Sequence, residues 1–121
     1  MTAHPVRMLA APDSFKGTFR ATQVAAAMGR GIEAAGGFAD LCPVADGGEG
    51  TMEVLLTALG GETGGATVHD PLGREVRAGF GLLEEGGAAI VEIAQASGLG
   101  LVAEAERDAE AASSAGTGEL I

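Results

Sequence analysis

Asp46-Gly47-Gly48-Glu49-Gly50-Thr51 stands between an apolar run and a run of helical character, and its reading decides the fold. Its three glycines permit positive φ and close backbone approach, so the loop can turn consecutive N–H groups toward an anion. The carboxylates of Asp46 and Glu49 would repel a bare phosphate. They point to a guest accompanied by Mg2+ or by a hydroxyl donor, which is the setting of phosphoryl transfer. A plainer reading fits the same residues: a strand-to-helix turn capped by Thr51, with glycines for tightness.

Working outward, a second stretch of the same kind, Pro12-Asp13-Ser14-Phe15-Lys16-Gly17, closes the first apolar run. Val6 to Ala11 predicts a buried parallel strand, ended by Pro12 because proline has no N–H for the ladder. From Thr18 to Ala35 the apolar positions Ala21, Val24, Ala25, Met28, Ile32 and Ala35 recur at three and four, the stripe of a helix lying on a sheet. Gly36-Gly37 stops it, while Gly29 and Gly31 each weaken it by up to ~1 kcal/mol unless close packing needs them. Phe38 to Val44 predicts a second strand, and Met52 to Leu59 a short helix closed by Gly60-Gly61. Right-handed crossovers then make the two strands parallel neighbours. Both glycine-bearing loops meet at their carboxyl edge, where open α/β sheets bind ligands.

Past Gly64-Gly65 the period becomes that of strands. Ala66 to His69, the turn Asp70-Pro71-Leu72-Gly73 and the alternating Val76, Ala78, Phe80 and Leu82 predict a hairpin. Ala88 to Ala94 predicts a further strand, interrupted by Glu92. The expected fold class is therefore α/β: the start of a doubly wound parallel sheet (β-α-β-α) followed by a mostly antiparallel second lobe. Residues 1–64 are assigned to the first part of a Rossmann-like domain and residues 65–121 to the start of a second, with a glycine-rich linker at 62–66. Residues 103–112, rich in Ala and Glu, fit loop and helix equally well.

Seventeen acidic against seven basic residues give a net charge of −10, which speaks against nucleic acid or an anionic membrane as partner. With 46% hydrophobic and 3% aromatic residues, the core is expected to be built from Ala, Val, Leu and Met. Cys42 is the single cysteine, so no disulfide forms within the chain; the cytoplasm is the expected compartment, with Cys42 packed as a small hydrophobe. No apolar run approaches the ~18 residues of a membrane span, and no targeting segment is recognised at the start. His4 and His69 lack partners at metal-ligand spacing. Neither a P-loop nor a dinucleotide-binding glycine motif is present.

The candidate chemistry sits on the two loops. Asp13 and Asp46, each beyond a strand, are the candidates for holding Mg2+, Asp46 first, or for accepting the proton of a substrate hydroxyl. Lys16 would neutralise a transferring phosphate or bind a carboxylate. Ser14, Thr51 and the N–H groups of Gly47, Gly48 and Gly50 are candidate phosphate or substrate donors, and Glu49 assists a metal or caps a helix. Ser97, near Glu92 and Gln95, is a further candidate. Gly116-Thr117-Gly118 looks like a phosphate-binding entry to a helix. As plain structure the same residues are Asx-turns, caps and solvated surface.

In order and spacing, these stretches resemble the successive blocks of the bacterial glycerate kinase family of type 1. The blocks are Pro12 to Gly17, Ala45 to Thr51, Asp70-Pro71-Leu72-Gly73-Arg74, Ile90 to Ala94 followed by Ala96-Ser97-Gly98-Leu99, and Gly116 to Ile121. Arg20 and Ala115 depart from the usual pattern. The resemblance covers the amino-terminal third of family members and implies a fragment of a two-domain kinase, its first domain completed by later chain. It further implies ATP-dependent phosphorylation of D-glycerate with Mg2+, with 2-phosphoglycerate favoured as product. The ligands are then D-glycerate and ATP, and a homo-oligomer is compatible with this reading. The competing expectation is a non-catalytic anion- or small-molecule-binding fragment. Two parallel strands leave sheet edges open, so the 121 residues alone are not expected to catalyse.

Overall fold

The computed structural model describes residues 4–84 and 86–121. They form two compact units that divide between Asp46 and Gly47.

In the first unit, β1 (Arg7–Ala10) and β2 (Phe38–Leu41) are parallel neighbours joined through α1 (Ala21–Ala34). Arg7 stands opposite Phe38 and Ala10 opposite Leu41. Both strands are shorter than their apolar runs. The pairing nevertheless continues past them, Cys42 N–H donating to the Ala10 carbonyl at 2.8 Å and Val44 N–H to that of Pro12 at 3.0 Å. Helix α1 begins where Gln23 Oε1 accepts from the Arg20 N–H at 3.0 Å, so its first turn is held by its own third residue. It buries Ala21, Ala25 and Gly29, four residues apart on one face. A Cβ on Gly29 would stand 2.8 Å from Leu41 Cδ2, so that side chain would have to turn aside, whereas one on Gly31 would meet nothing. Cys42 is free and exposed rather than packed.

In the second unit, α2 (Thr51–Leu59) leads into an antiparallel sheet of order β3 (Gly61–His69), β4 (Glu75–Leu83) and β5 (Ala89–Ile90). Gly60-Gly61 ends α2, and β3 starts at once. Gly64-Gly65, expected to be linker, lies inside β3, because Gly64 faces the Phe80 ring and has no room for a Cβ. The strand expected over 88–94 is only β5. Its chain turns at Glu92 into α3 (Ile93–Ser97), so that Ala96 is buried against Val68 and Ala78. Residues 103–112 hold one 3-10 turn, Glu104–Glu106, and otherwise irregular chain and turn. Their alanine face is too weak to anchor a helix. The chain ends in α4 (Ala115–Glu119), packed on β3 and α3.

Helix α2 packs on β4 and β3, and the compact units divide between Asp46 and Gly47.

Candidate functional site

In the first unit, the loops that follow β1 and β2 leave the sheet at the same edge because the strands are parallel, and the Val44–Pro12 hydrogen bond holds them side by side. Asp13 and Asp46 lie on these loops, both exposed. Asp13 Oδ1 accepts from the Ser14 N–H at 2.6 Å, which orients the carboxylate along the loop. Phe15 and Phe19 then pair as an isolated bridge, and Thr18 Oγ1 and N–H both donate to the Phe15 carbonyl at 2.9 Å. This tight turn carries exposed Lys16 and Gly17 at its tip.

The second unit holds the other candidates. Gly47 and Gly50 have φ of 96° and 91°, values that a side chain would strain, so these two glycines are required by the turn. Gly50, not Thr51, occupies the N-cap of α2. Thr51 is the first helical residue, and its hydroxyl donates to the Gly48 carbonyl at 2.7 Å. The N–H groups of Gly50 and Met52 donate to the Glu92 carboxylate at 3.2 and 3.1 Å. Glu49 is exposed beside them.

Ser97 and Thr117, twenty residues apart, are brought together at 2.6 Å between hydroxyl oxygens. Gly116 lies against the backbone of His69, too close for any Cβ. The helix that Gly116-Thr117-Gly118 opens has only five residues. Glu119 closes it by accepting from the His69 N–H and contacting His69 Nδ1, both at 2.9 Å. The side-chain bond and the Glu119 charge raise the His69 pKa, and the same bond, with that from the His69 backbone N–H, lowers the Glu119 pKa.

Asp70 is buried and works structurally. Its Oδ1 accepts from the N–H groups of Leu72 and Arg74 at 2.8 and 2.9 Å, and its Oδ2 pairs with Arg74 Nε at 2.8 Å. The Arg74 backbone N–H is the first cause holding the Asp70 carboxyl below its usual range. Arg74 reaches on to Glu106 at 3.2 Å, tying the 104–106 turn to the hairpin. An open groove of about 530 Å3 along α2 and β3 is lined by Met52, Glu53, Leu56 and Glu62 among others and includes none of the candidate residues. Its two acids make it a poor host for an anion. Among the described residues, no group of three His, Cys, Asp or Glu side chains converges to hold a metal, and no helix is long and apolar enough to cross a membrane.

Sequence reasoning missed the roles of Glu92, Glu119 and Arg74. For Glu92 a signal was present, a lone acid inside an apolar run.

The sequence matches the glycerate kinase family over residues 8–121. It is 43% identical over 118 residues to a glycerate kinase of Bacillus subtilis (strain 168) and 42% identical over 120 residues to a glycerate 2-kinase of Escherichia coli (strain K12). Each alignment covers 96% of this chain, and the chain spans about 31% of each relative's length. A crystal structure from Salmonella typhimurium LT2, assigned as glycerate kinase 2, is similar with a TM-score of 0.71 and 37% identity, over 97% of this chain and 32% of that one.

Proposed function

Because the chain belongs to the glycerate kinase family, we propose that it forms the amino-terminal part of an ATP-dependent kinase acting on D-glycerate, in the cytoplasm. The observation that carries this reading is the pair of acid-bearing loops held together beyond β1 and β2. Asp13 and Asp46 are the catalytic acids, one of them accepting the proton of the glycerate hydroxyl. Lys16, at its turn tip, neutralises the carboxylate of glycerate or a transferring phosphate. Ser14, Gly47, Gly48, Glu49, Gly50, Thr51, Ser97, Gly116, Thr117 and Gly118 are assigned as substrate- or phosphate-binding residues of that whole protein.

Mg2+ is usually held by one or two carboxylates plus substrate phosphates, so Asp46 fits as a single protein ligand although no three-residue metal group is found among the described residues. When bound, the ion neutralises charge on the phosphates. The name of the Escherichia coli relative supports 2-phosphoglycerate as the product. Residues 1–64 and 65–121 then belong to different domains of the whole protein, and the isolated chain is inactive.

The test is glycerate-dependent ATP consumption by the whole protein, with the product isomer assigned by phosphorus NMR. Asp46→Asn keeps the shape and loses the charge, so turnover is expected to fall by ~10²–10⁴ with binding largely kept. Turnover near that of the unsubstituted protein would reassign Asp46 to a turn-forming role. Robust ATP consumption by the 121 residues alone would remove the need for later chain.

A further inference from the structure

Helix α2 starts without a side-chain cap. Its N-cap is Gly50, which has no side chain to cap with and stands in the left-handed region. The first N–H groups of a helix have no partner within it. Here Gly50 and Met52 find theirs on one carboxylate about forty residues later, Glu92 Oε1 accepting from Gly50 at 3.2 Å and Oε2 from Met52 at 3.1 Å. Glu92 is 5% exposed. A carboxylate at the positive end of a helix, with one oxygen for each donor, is the favourable arrangement of charge.

What lies behind Glu92 is equally fixed. It is the N-cap of α3, and its carbonyl accepts from the Gln95 N–H at 3.0 Å. Gln95 Oε1 accepts from the Gly79 N–H of β4 at 3.2 Å, and Ala96 is fully buried beneath β4. A continuous path therefore runs from β4 through Gln95 and α3 to Glu92 and on to the Gly47–Thr51 turn. Helix α2 itself packs on β4 and β3, and Glu92 adds the tie at its first turn.

Resting on the kinase reading above, we infer that Glu92 is a positioning residue: it seats the glycine turn on the second unit's sheet by holding the Gly50 and Met52 N–H groups at the N-terminus of α2. Glu92 touches no substrate. Its effect is on the placement of Gly47, Gly48 and Glu49, where an error of about 1 Å is enough to slow a transfer reaction by ~10²-fold.

The experiment uses the whole kinase with Glu92→Ala and Glu92→Gln, and Val68→Ala as a control that weakens the same unit's core away from the turn. Hydrogen–deuterium exchange of the peptide covering residues 47–55 reports the anchor directly, whatever the activity. In Glu92→Ala this peptide is expected to lose protection, and kcat to fall roughly tenfold to a hundredfold with KM for both substrates little changed. Glu92→Gln keeps one acceptor oxygen and should recover part of both losses. Val68→Ala, assayed well below its melting midpoint, should leave kcat and that peptide's protection unchanged. Loss of protection with kcat unchanged, or an equal kcat loss in Val68→Ala, overturns the positioning role alone. A whole protein that consumes no ATP with glycerate before any substitution overturns the kinase reading and the role with it, even where the exchange data uphold the anchor.

Discussion

The two compact units bury their side chains differently. In residues 4–46 the buried hydrophobic residues are Ala10, Ala21 and Ala25, while Val6, Met8, Leu9, Phe15, Phe19, Phe38 and Leu41 remain exposed. In residues 47–121 Val68, Ala78 and Ala96 form a core between strands and helices, with Val76 and Leu120 packed against it. A parallel pair is stable when both its faces are covered, and α1 lies on one. An antiparallel sheet needs only one covered face, which α3 and α4 supply. The second unit thus has a core of its own. The first carries the charged candidates, Asp13, Lys16 and Asp46, on a frame with little core of its own.

If this contrast holds, substitutions at the charged candidates of the first unit change the chemistry, and substitutions in the core of the second change stability. The largest effect on substrate affinity is expected from Lys16→Met in the whole protein. Losing a charge-assisted contact of ~1.5–3 kcal/mol should raise KM for glycerate or ATP roughly tenfold to a hundredfold. Because the chain carries a net charge of −10, lowering the salt should deepen the defect, as distant acids become less screened. Steady-state kinetics at two ionic strengths decide it, and unchanged constants for both substrates would return Lys16 to the solvated surface.

A smaller effect sharpens the comparison of cores. Val68→Ala removes two methyl groups from the middle of the second core and should cost about 2 kcal/mol. Val6→Ala, made on a residue 68% exposed, should stay within ~0.5 kcal/mol in the 121-residue chain. Urea unfolding of both variants measures the difference. Equal losses would mean that Val6 is covered in solution, and the contrast between the units would fail.

The smallest effect concerns the end of the second unit. The raised His69 pKa gives stability that is fully present below its ordinary 6.5 and is lost as pH rises through the folded value. The lowered Glu119 pKa gives stability present above 4.5 and lost as pH falls through its folded value. The pair therefore holds α4 best between those two ordinary values. Both groups are about half exposed, so solvent screens them and the gain is small. Melting midpoints of the chain and of Glu119→Gln should differ most near the middle of that window and converge at higher pH. A difference that does not vary with pH would leave only the Glu119 bond to the His69 backbone.

Much of the first unit was legible before folding was considered. The stripe from Ala21 to Ile32 announced α1, Pro12 marked the end of β1, and crossover handedness set β1 beside β2. In the second unit the alternation through Val76, Ala78 and Phe80 announced β4. Gly64-Gly65 misled because a glycine pair reads as a break unless a partner such as Phe80 is known to lie over it. Thr51 misled for a similar reason. A hydroxyl before a helical run is the usual cap, but Gly50 took the left-handed position and pushed Thr51 into the first turn.

What the sequence determined by itself was the order of the elements, the parallel and antiparallel pairings, the turns that need glycine and the family blocks that run along the chain. These depend on periodicity and backbone stereochemistry within a few residues. Only the tertiary structure decided that Glu92 is buried on the N–H groups of Gly50 and Met52, that Ser97 meets Thr117, and that α2 joins the antiparallel sheet. Each of the side-chain pairings joins groups twenty or more residues apart. The partner of a buried polar group is chosen by which surfaces pack together, and no local pattern of residues encodes that choice.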